Sequence, residues 1–413
     1  MIRRFFVWLH RWVGLAMAAF LIIEGATGSL IAFRADLSEL FDPRLVAAKP
    51  TPDAKPLNLA TLAERAEALA PNAEVAYFAG LGDDQAVLRM VGRKNPTTGE
   101  RNAIDSEIMV LDPWTGRELL RSGFDRYTSG LLPKVIPFVY DLHTKLALGE
   151  TGAWILAIVA ILWTIDCFVG FYLTLPIKLE DFWRRWKPAW LIKWRASFYR
   201  VNFDLHRASG LWLWAMLFVF AWSSVTLVDN TGAFDWTMRK LFDYPLEQYL
   251  ATLFPPREDT GPPKLGWRAA QAVGERLVAE QAARQGFKIE KPVGLNHLIE
   301  QRQYNYIVAT DRRFPDDKTF TVFFDADTGA FHATMPTSTG HSGLTIMNWL
   351  RALHMIQDPV DYLVYRIFVC VIGVVIVMLS VTGVYIWWKK RRARISNVKR
   401  RRIAHLDGSA HSV

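Results

Sequence analysis

His10-Arg11-Trp12-Val13-Gly14-Leu15 and His206-Arg207-Ala208-Ser209-Gly210-Leu211 spell one pattern, H-R-x-x-G-L, and each stands at the head of a long apolar run. Those runs cover residues 12–33 and 211–228. Two more, 153–175 and 362–388, follow Leu142-His143 and Leu353-His354 and end in Gly170-Phe171-Tyr172 and Gly383-Val384-Tyr385. A helix crosses a bilayer with roughly 20 apolar residues. The chain therefore reads as four membrane spans, laid out twice as span, soluble segment, span.

Composition agrees. Of 413 residues 51% are hydrophobic and only 22% charged, with seventeen Trp, which excludes a soluble enzyme, a disordered chain and a disulfide scaffold. Cys167 and Cys370 stand singly inside apolar runs, so there is neither a CxxC zinc pair nor a CxxCH for covalent haem attachment. The net charge of +9 is concentrated beside the spans, at Arg3, Arg4 and Arg11, across 178–200, and across 389–402. That placement reads as membrane topology, not nucleic-acid binding, and puts both termini in the cytoplasm. The first run is too long for a cleaved signal peptide. The expected organisation is span 1 in 1–33, a periplasmic domain in 34–150, span 2 in 151–175 and a basic cytoplasmic loop in 176–206. Span 3 in 207–229, a second periplasmic domain in 230–361, span 4 in 362–388 and a basic cytoplasmic tail in 389–413 complete it.

The soluble segments repeat as well. Each opens with helical apolar spacing, at 57–69 and 267–285, and continues in alternating strands, at 86–91 and 107–111, then 304–309 and 319–324. Each carries a D-x-x-T-G turn, Asp112-Pro113-Trp114-Thr115-Gly116 and Asp325-Ala326-Asp327-Thr328-Gly329, in which Asp starts the turn and Gly supplies positive φ. The expected fold is an α-helical four-helix transmembrane bundle with two α+β periplasmic domains. Its halves are related by an axis along the membrane normal.

Four of nine histidines stand at membrane edges, one per span: His10 and His206 on the cytoplasmic side, His143 and His354 on the periplasmic side. Each face then holds two imidazoles from equivalent helices. Two neutral imidazoles on opposite sides of a planar macrocycle give a six-coordinate haem suited to electron transfer, and helix interfaces are where bundles hold cofactors. Without CxxCH such haem is non-covalent and b-type. Arg11, Arg207 and Arg351 lie close in sequence and suit haem propionates. Two other readings stay open: interfacial anchors, or zinc or copper, for which two imidazoles are too few ligands for a closed site. His297, His332 and His341 read as solvated or structural, and His405 and His411 as inert residues of a polar tail. Glu24 and Asp166, inside spans, are costly in lipid and should face the bundle interior. They serve either proton movement or substrate contact, or a hydrogen bond to a neighbouring helix beside a cofactor pocket. No catalytic residue stands out.

These residues resemble the PepSY-associated transmembrane proteins, which include siderophore-linked ferric reductases of bacterial inner membranes. The resemblance rests on H-R-W-V-G-L followed by Gly25-Ala26-Thr27-Gly28, on Tyr140-Asp141-Leu142-His143 with Leu148-Gly149, and on Leu205-His206-Arg207 with Gly210-Leu211. Leu353-His354, Ser380-Val381-Thr382-Gly383 before Trp387-Trp388-Lys389-Lys390, and the two D-x-x-T-G hairpins complete it. It covers nearly the whole chain up to Arg394. It implies four spans, two periplasmic PepSY domains, two b-type haems ligated by His10 with His206 and by His143 with His354, and reduction of siderophore-bound ferric iron. The third span departs from the pattern, reading Trp222-Ser223-Ser224-Val225 where the first has Gly-x-x-Gly.

The leading expectation is thus a lipid-embedded electron carrier that reduces an Fe(III) chelate, such as a ferric siderophore, in the periplasm. No GxGxxG fingerprint for flavin or nicotinamide occurs, so electrons must come from a quinol or a cytoplasmic reductase. The alternatives are electron delivery to another periplasmic partner, a non-redox binding or regulatory protein, and, with little room for a pathway, a chelate transporter.

Overall fold

The computed structural model describes the chain except residues 42–50, 52–53, 82–84, 96, 123–131, 229–230, 255–261, 313–317, 336–339, 357–359, 361 and 411–413. Residues 35, 38–39, 79–81, 122, 132–134 and 397–410 are described by their backbone. His411 and the side chain of His405 fall outside these limits. The first half runs α1 (Ile2–Ile31), α2 (Arg34–Phe41), α3 (Leu59–Leu69), β1 (Ala73–Leu81), β2 (Ala86–Gly92), β3 (Ile108–Leu111), β4 (Glu118–Ser122), α4 (Leu132–Lys145) and α5 (Gly149–Thr174). Then come α6 (Phe182–Trp186), α7 (Phe198–Trp212), α8 (Trp214–Val228), α9 (Ala233–Leu241), α10 (Leu246–Leu253) and α11 (Trp267–Gln285). The chain closes with β5 (Ile289–Leu298), β6 (Gln303–Thr310), β7 (Thr319–Asp325), β8 (Phe331–Thr334), α12 (Ser342–Met355) and α13 (Leu363–Ala410).

The chain divides into two compact units. One comprises residues 1–33, 138–236 and 350–413; the other comprises 34–137 and 237–349. In the first unit α1, α5 and the 363–396 stretch of α13 are each long and apolar enough to cross a membrane. Small residues let α1 and α13 approach closely, as membrane helices favour: a Cβ on Gly25 would lie 2.6 Å from the Gly373 carbonyl oxygen. Ser29 Oγ adds a hydrogen bond to the Cys370 carbonyl across the same contact.

The expected third span differs. It is a bent pair, α7 and α8, meeting at 70° at Leu213. With 15 residues, α8 spans only about 22 Å at 1.5 Å per residue. Residues 198–206, expected in a loop, are helical. Charge explains the bend. Asp204, fully buried, accepts from Arg200 Nε at 2.8 Å, from Arg207 at 2.9 Å and from the Lys193 N–H at 3.3 Å. Arg207 also donates to the Pro188 carbonyl, and Trp212 Nε1 to that of Trp190 at 3.1 Å. These bonds lash α7 to the 187–193 segment, away from the line of α8.

In the second unit, two four-stranded antiparallel sheets have the orders β1-β2-β3-β4 and β5-β6-β7-β8. Both anticipated turns form. Asp112 Oδ1 accepts from the Trp114 and Thr115 N–H groups, and Asp325 Oδ1 from those of Asp327 and Thr328. Gly116 and Gly329 take φ of +69° and +71°, the left-handed conformation glycine adopts without steric cost. Asn58 caps α3 by accepting from the Thr61 N–H at 2.7 Å.

Although they were read as two separate domains, the two soluble segments share one apolar core, in which Leu62, Leu88 and Met109 meet Leu277, Tyr306 and Val322. Polar bonds cross it. Trp267 Nε1 donates to Glu67 at 3.0 Å, Arg268 pairs with Glu64, and the Phe78 N–H donates to Asn296 Oδ1 at 2.7 Å. The outer histidines have partners too. His297 stacks on Tyr304, His332 Nε2 donates to the Thr252 carbonyl, and His341 bonds Asp243 and Tyr249.

Candidate functional site

All four edge histidines belong to the helical unit. His10 lies in the third turn of α1 and His206 within α7; His143 and His354 end α4 and α12, short helices that precede α5 and α13. The chain brings them together in two pairs. The ring centroids of His10 and His206 are 6.1 Å apart, and those of His143 and His354 are 6.4 Å apart. Thr27, which touches His143, is 17 residues along α1 from His10, or about 25 Å of helix. The pairs therefore sit towards opposite ends of α1.

In each ring, hydrogen bonding fixes which nitrogen carries the proton. His10 Nδ1 lies 2.9 and 3.0 Å from the two Asp166 oxygens, which accept. His206 Nδ1 lies 3.0 Å from the Leu379 carbonyl, which can only accept, and 3.1 Å from Thr382 Oγ1. His143 Nδ1 lies 2.9 Å from Thr27 Oγ1, whose own hydrogen goes to the Ile23 carbonyl at 2.7 Å. His354 Nδ1 lies 2.7 Å from Ser223 Oγ, whose hydrogen goes to the Phe220 carbonyl at 3.0 Å. Every Nδ1 is thus an N–H donor, which leaves every Nε2 a bare lone pair. Metal-ligating imidazoles are held in this way, oriented and tautomerically fixed by the nitrogen that does not bind the metal.

Spacing carries the same message. Two metal–imidazole bonds of about 2.0–2.1 Å from opposite sides put the ring centres roughly 6 Å apart. Among the described residues no group of three or more His, Cys, Asp or Glu side chains could hold a bare ion. Each pair suits a group that brings its own equatorial ligands, as haem does. Small residues keep the ring edges clear: a Cβ on Gly28 would lie 3.1 Å from His143 Cε1, one on Gly170 3.5 Å from His10 Cε1, and one on Gly383 3.3 Å from His206 Cε1.

The expected acids lie beside the histidines. Asp166 makes a hydrogen bond between helices. Glu24 Oε2 lies 3.1 Å from His143 Nδ1, and its Oε1 is buried without a hydrogen-bond partner. The arginines divide. Arg11 lies over the Trp12 ring with its Nε buried and unpaired. Arg207, expected to meet a propionate, is engaged by Asp204 and the Pro188 carbonyl, and only its Nε is buried and unpaired. Arg351 is exposed on α12. Two orphaned guanidinium N–H groups near the His10–His206 pair in sequence fit an anionic propionate.

Of the residues that hold Nδ1, Asp166 was singled out from the sequence, whereas Thr27, Ser223 and Leu379 were given no such role, although arithmetic exposes them. The offset that carries His10 to His206, 196, also carries Thr27 to Ser223 and Glu24 to Phe220. An offset of 213 carries Asp166 to Leu379 and Gly170 to Gly383. The departure at Trp222-Ser223-Ser224 therefore keeps the hydroxyl that matters.

A search among curated proteins finds no match. The PepSY-associated TM region family model matches residues 7–390, from just before the first H-R-x-x-G-L to just past the last apolar run, and the chain belongs to that family.

Proposed function

We propose that this chain is a di-haem b-type reductase of the bacterial inner membrane, which passes electrons across the bilayer to an Fe(III) chelate, such as a ferric siderophore, in the periplasm. The observation that carries this reading is the two histidine pairs, with ring centroids 6.1 and 6.4 Å apart and every Nδ1–H already committed, which leaves Nε2 free to bind. Haem supplies one-electron chemistry between its ferric and ferrous states.

The protein's own groups do the rest. His10 and His206 would hold one haem at the cytoplasmic face, and His143 and His354 would hold the other at the periplasmic face. Arg11 and Arg207 offer Nε–H groups to propionates. The basic flanks hold both termini in the cytoplasm. Helices α1, α5, α7–α8 and α13 form a four-helix bundle of two repeated halves, a reading supported by the constant offsets and by the matching strand orders. Each Fe(III) takes one electron; a quinol donor, releasing two electrons and two protons, serves two chelates, and a cytoplasmic reductase is the other class of donor. Hard oxygen donors hold Fe(II) less well than Fe(III), so reduction frees the metal.

The test is a visible spectrum of detergent-purified protein, oxidised and dithionite-reduced, with a pyridine haemochrome count, followed by addition of a ferric chelate. About two b-type haems per chain and reoxidation by the chelate are expected. Two haems without reoxidation would redirect the electrons to a periplasmic partner protein. A colourless protein after expression with ample haem would overturn the reading in favour of a non-redox binding module.

A further inference from the structure

The two pairs differ in what holds their Nδ1 atoms. At the His10–His206 pair, one acceptor is a carboxylate: both Asp166 oxygens lie within 3.0 Å of His10 Nδ1. The position 213 residues on is Leu379, which offers His206 only a backbone carbonyl. At the His143–His354 pair both hydrogen bonds end on hydroxyls, Thr27 Oγ1 and Ser223 Oγ. Glu24 stands beside that bond, and Phe220, 196 residues on, packs against the His354 ring with centroids 5.2 Å apart. At one pair a carboxylate holds a ligand Nδ1 with both oxygens; at the other a hydroxyl at 2.9 Å is the nearer acceptor for His143 Nδ1, and a single Glu24 oxygen lies farther off at 3.1 Å.

A carboxylate that accepts the Nδ1–H draws that proton and makes Nε2 the stronger donor. Stronger donation, together with a negative charge nearby in an apolar setting, favours the ferric over the ferrous state. Hydroxyl acceptors do neither to the same degree. Building on the proposed function, we infer that Asp166 is a positioning residue that makes His10 an electron-rich ligand and gives the His10–His206 site the lower reduction potential of the two. With that pair at the cytoplasmic face, the protein carries a built-in potential drop directed outward.

The experiment is a redox titration of the full-length, haem-loaded protein, followed optically, with Asp166→Asn, Asp166→Glu and Glu24→Gln beside it. Haem content is measured first, so that failure of haem binding by the unmutated protein sinks the proposed function and not this inference. Two resolved potentials are expected. Asp166→Asn should raise the lower one alone, Asp166→Glu should restore most of it, and Glu24→Gln should move the higher one by less. If Asp166→Asn sheds its haem, His143→Ala decides, because the haem remaining on His10 and His206 should titrate at the lower of the two native potentials. A remaining haem at the higher potential, or an Asp166→Asn protein with both potentials unmoved, would overturn the assignment.

Discussion

Ser223 Oγ stands 2.7 Å from His354 Nδ1 and, with its own hydrogen on the Phe220 carbonyl, accepts that ring's only N–H. Removing the hydroxyl releases the ring from its orientation and tautomer. Ser223→Ala is expected to weaken haem retention at this pair roughly 10–100-fold, the usual effect of losing such a support. Ser223→Thr should restore it. Haem loss to apomyoglobin, followed at the Soret band, checks this; equal rates for the alanine variant and the native protein would count against the support role.

His143→Ala removes one ligand of one pair and leaves the other pair, which is separated from it along α1, intact. Haem content should fall by about half, and the remaining haem should still be reduced by dithionite. A full complement in the variant would contradict the pairing by which His143 and His354 lie 6.4 Å apart.

Gly274 permits α11 to lie on β6. A Cβ there would meet Tyr306 Cβ at 2.5 Å and its ring carbon Cγ at 2.6 Å, and neither atom is the end of a flexible chain. Overpacking of this kind costs about 1–3 kcal/mol. Gly274→Ala should lower the thermal midpoint of the sheet-bearing unit while leaving the haem spectrum unchanged, and differential scanning fluorimetry alongside spectroscopy separates the two effects.

Arg302 holds Asp327 with two nitrogens, Nη2 at 2.6 Å and Nε at 3.2 Å. Those bonds first, and the Lys264 N–H second, keep the Asp327 carboxyl below its ordinary value of 3.8. The unfolded chain binds the proton at higher pH than the folded one, so stability rises with pH through that window. The contribution is complete above the ordinary value and is lost as pH falls towards the depressed one. Urea unfolding at pH 3 and pH 6 should show a smaller pH difference for Asp327→Asn than for the native protein.

A reporter active only in the periplasm, fused after Thr51, should give signal, and one fused after Lys390 should not. The reverse pattern would invert the direction of the proposed relay.

The long spans were legible because lipid demands uninterrupted apolar residues, which no other environment selects at that length. The turns were legible because Asp and Gly answer local backbone needs. The break at Leu213 was not, since Gly210-Leu211-Trp212-Leu213 contains no residue that forbids a continuous helix. The bend comes from Asp204 reaching Lys193 and from Arg207 reaching Pro188, bonds that hydropathy does not see. The shared core was hidden for a related reason: Glu67 meets Trp267, and Phe78 meets Asn296, across about 200 residues. The four histidines, which the structure brings into two pairs, stand out in the sequence because they lie at run edges, whereas Thr27 and Ser223 look like ordinary span hydroxyls until the ring they touch is placed.

Helix α1 is a single unbroken element that carries His10 near one end and Thr27, the support of His143, near the other. Its counterpart in sequence is jointed: His206 rides on α7, Ser223 rides on α8, and the two meet at 70°. One half of the molecule therefore works as a strut and the other as an elbow. Thr27 and His10 thus share one continuous helix, whereas Ser223 and His206 stand on either side of a joint at Leu213.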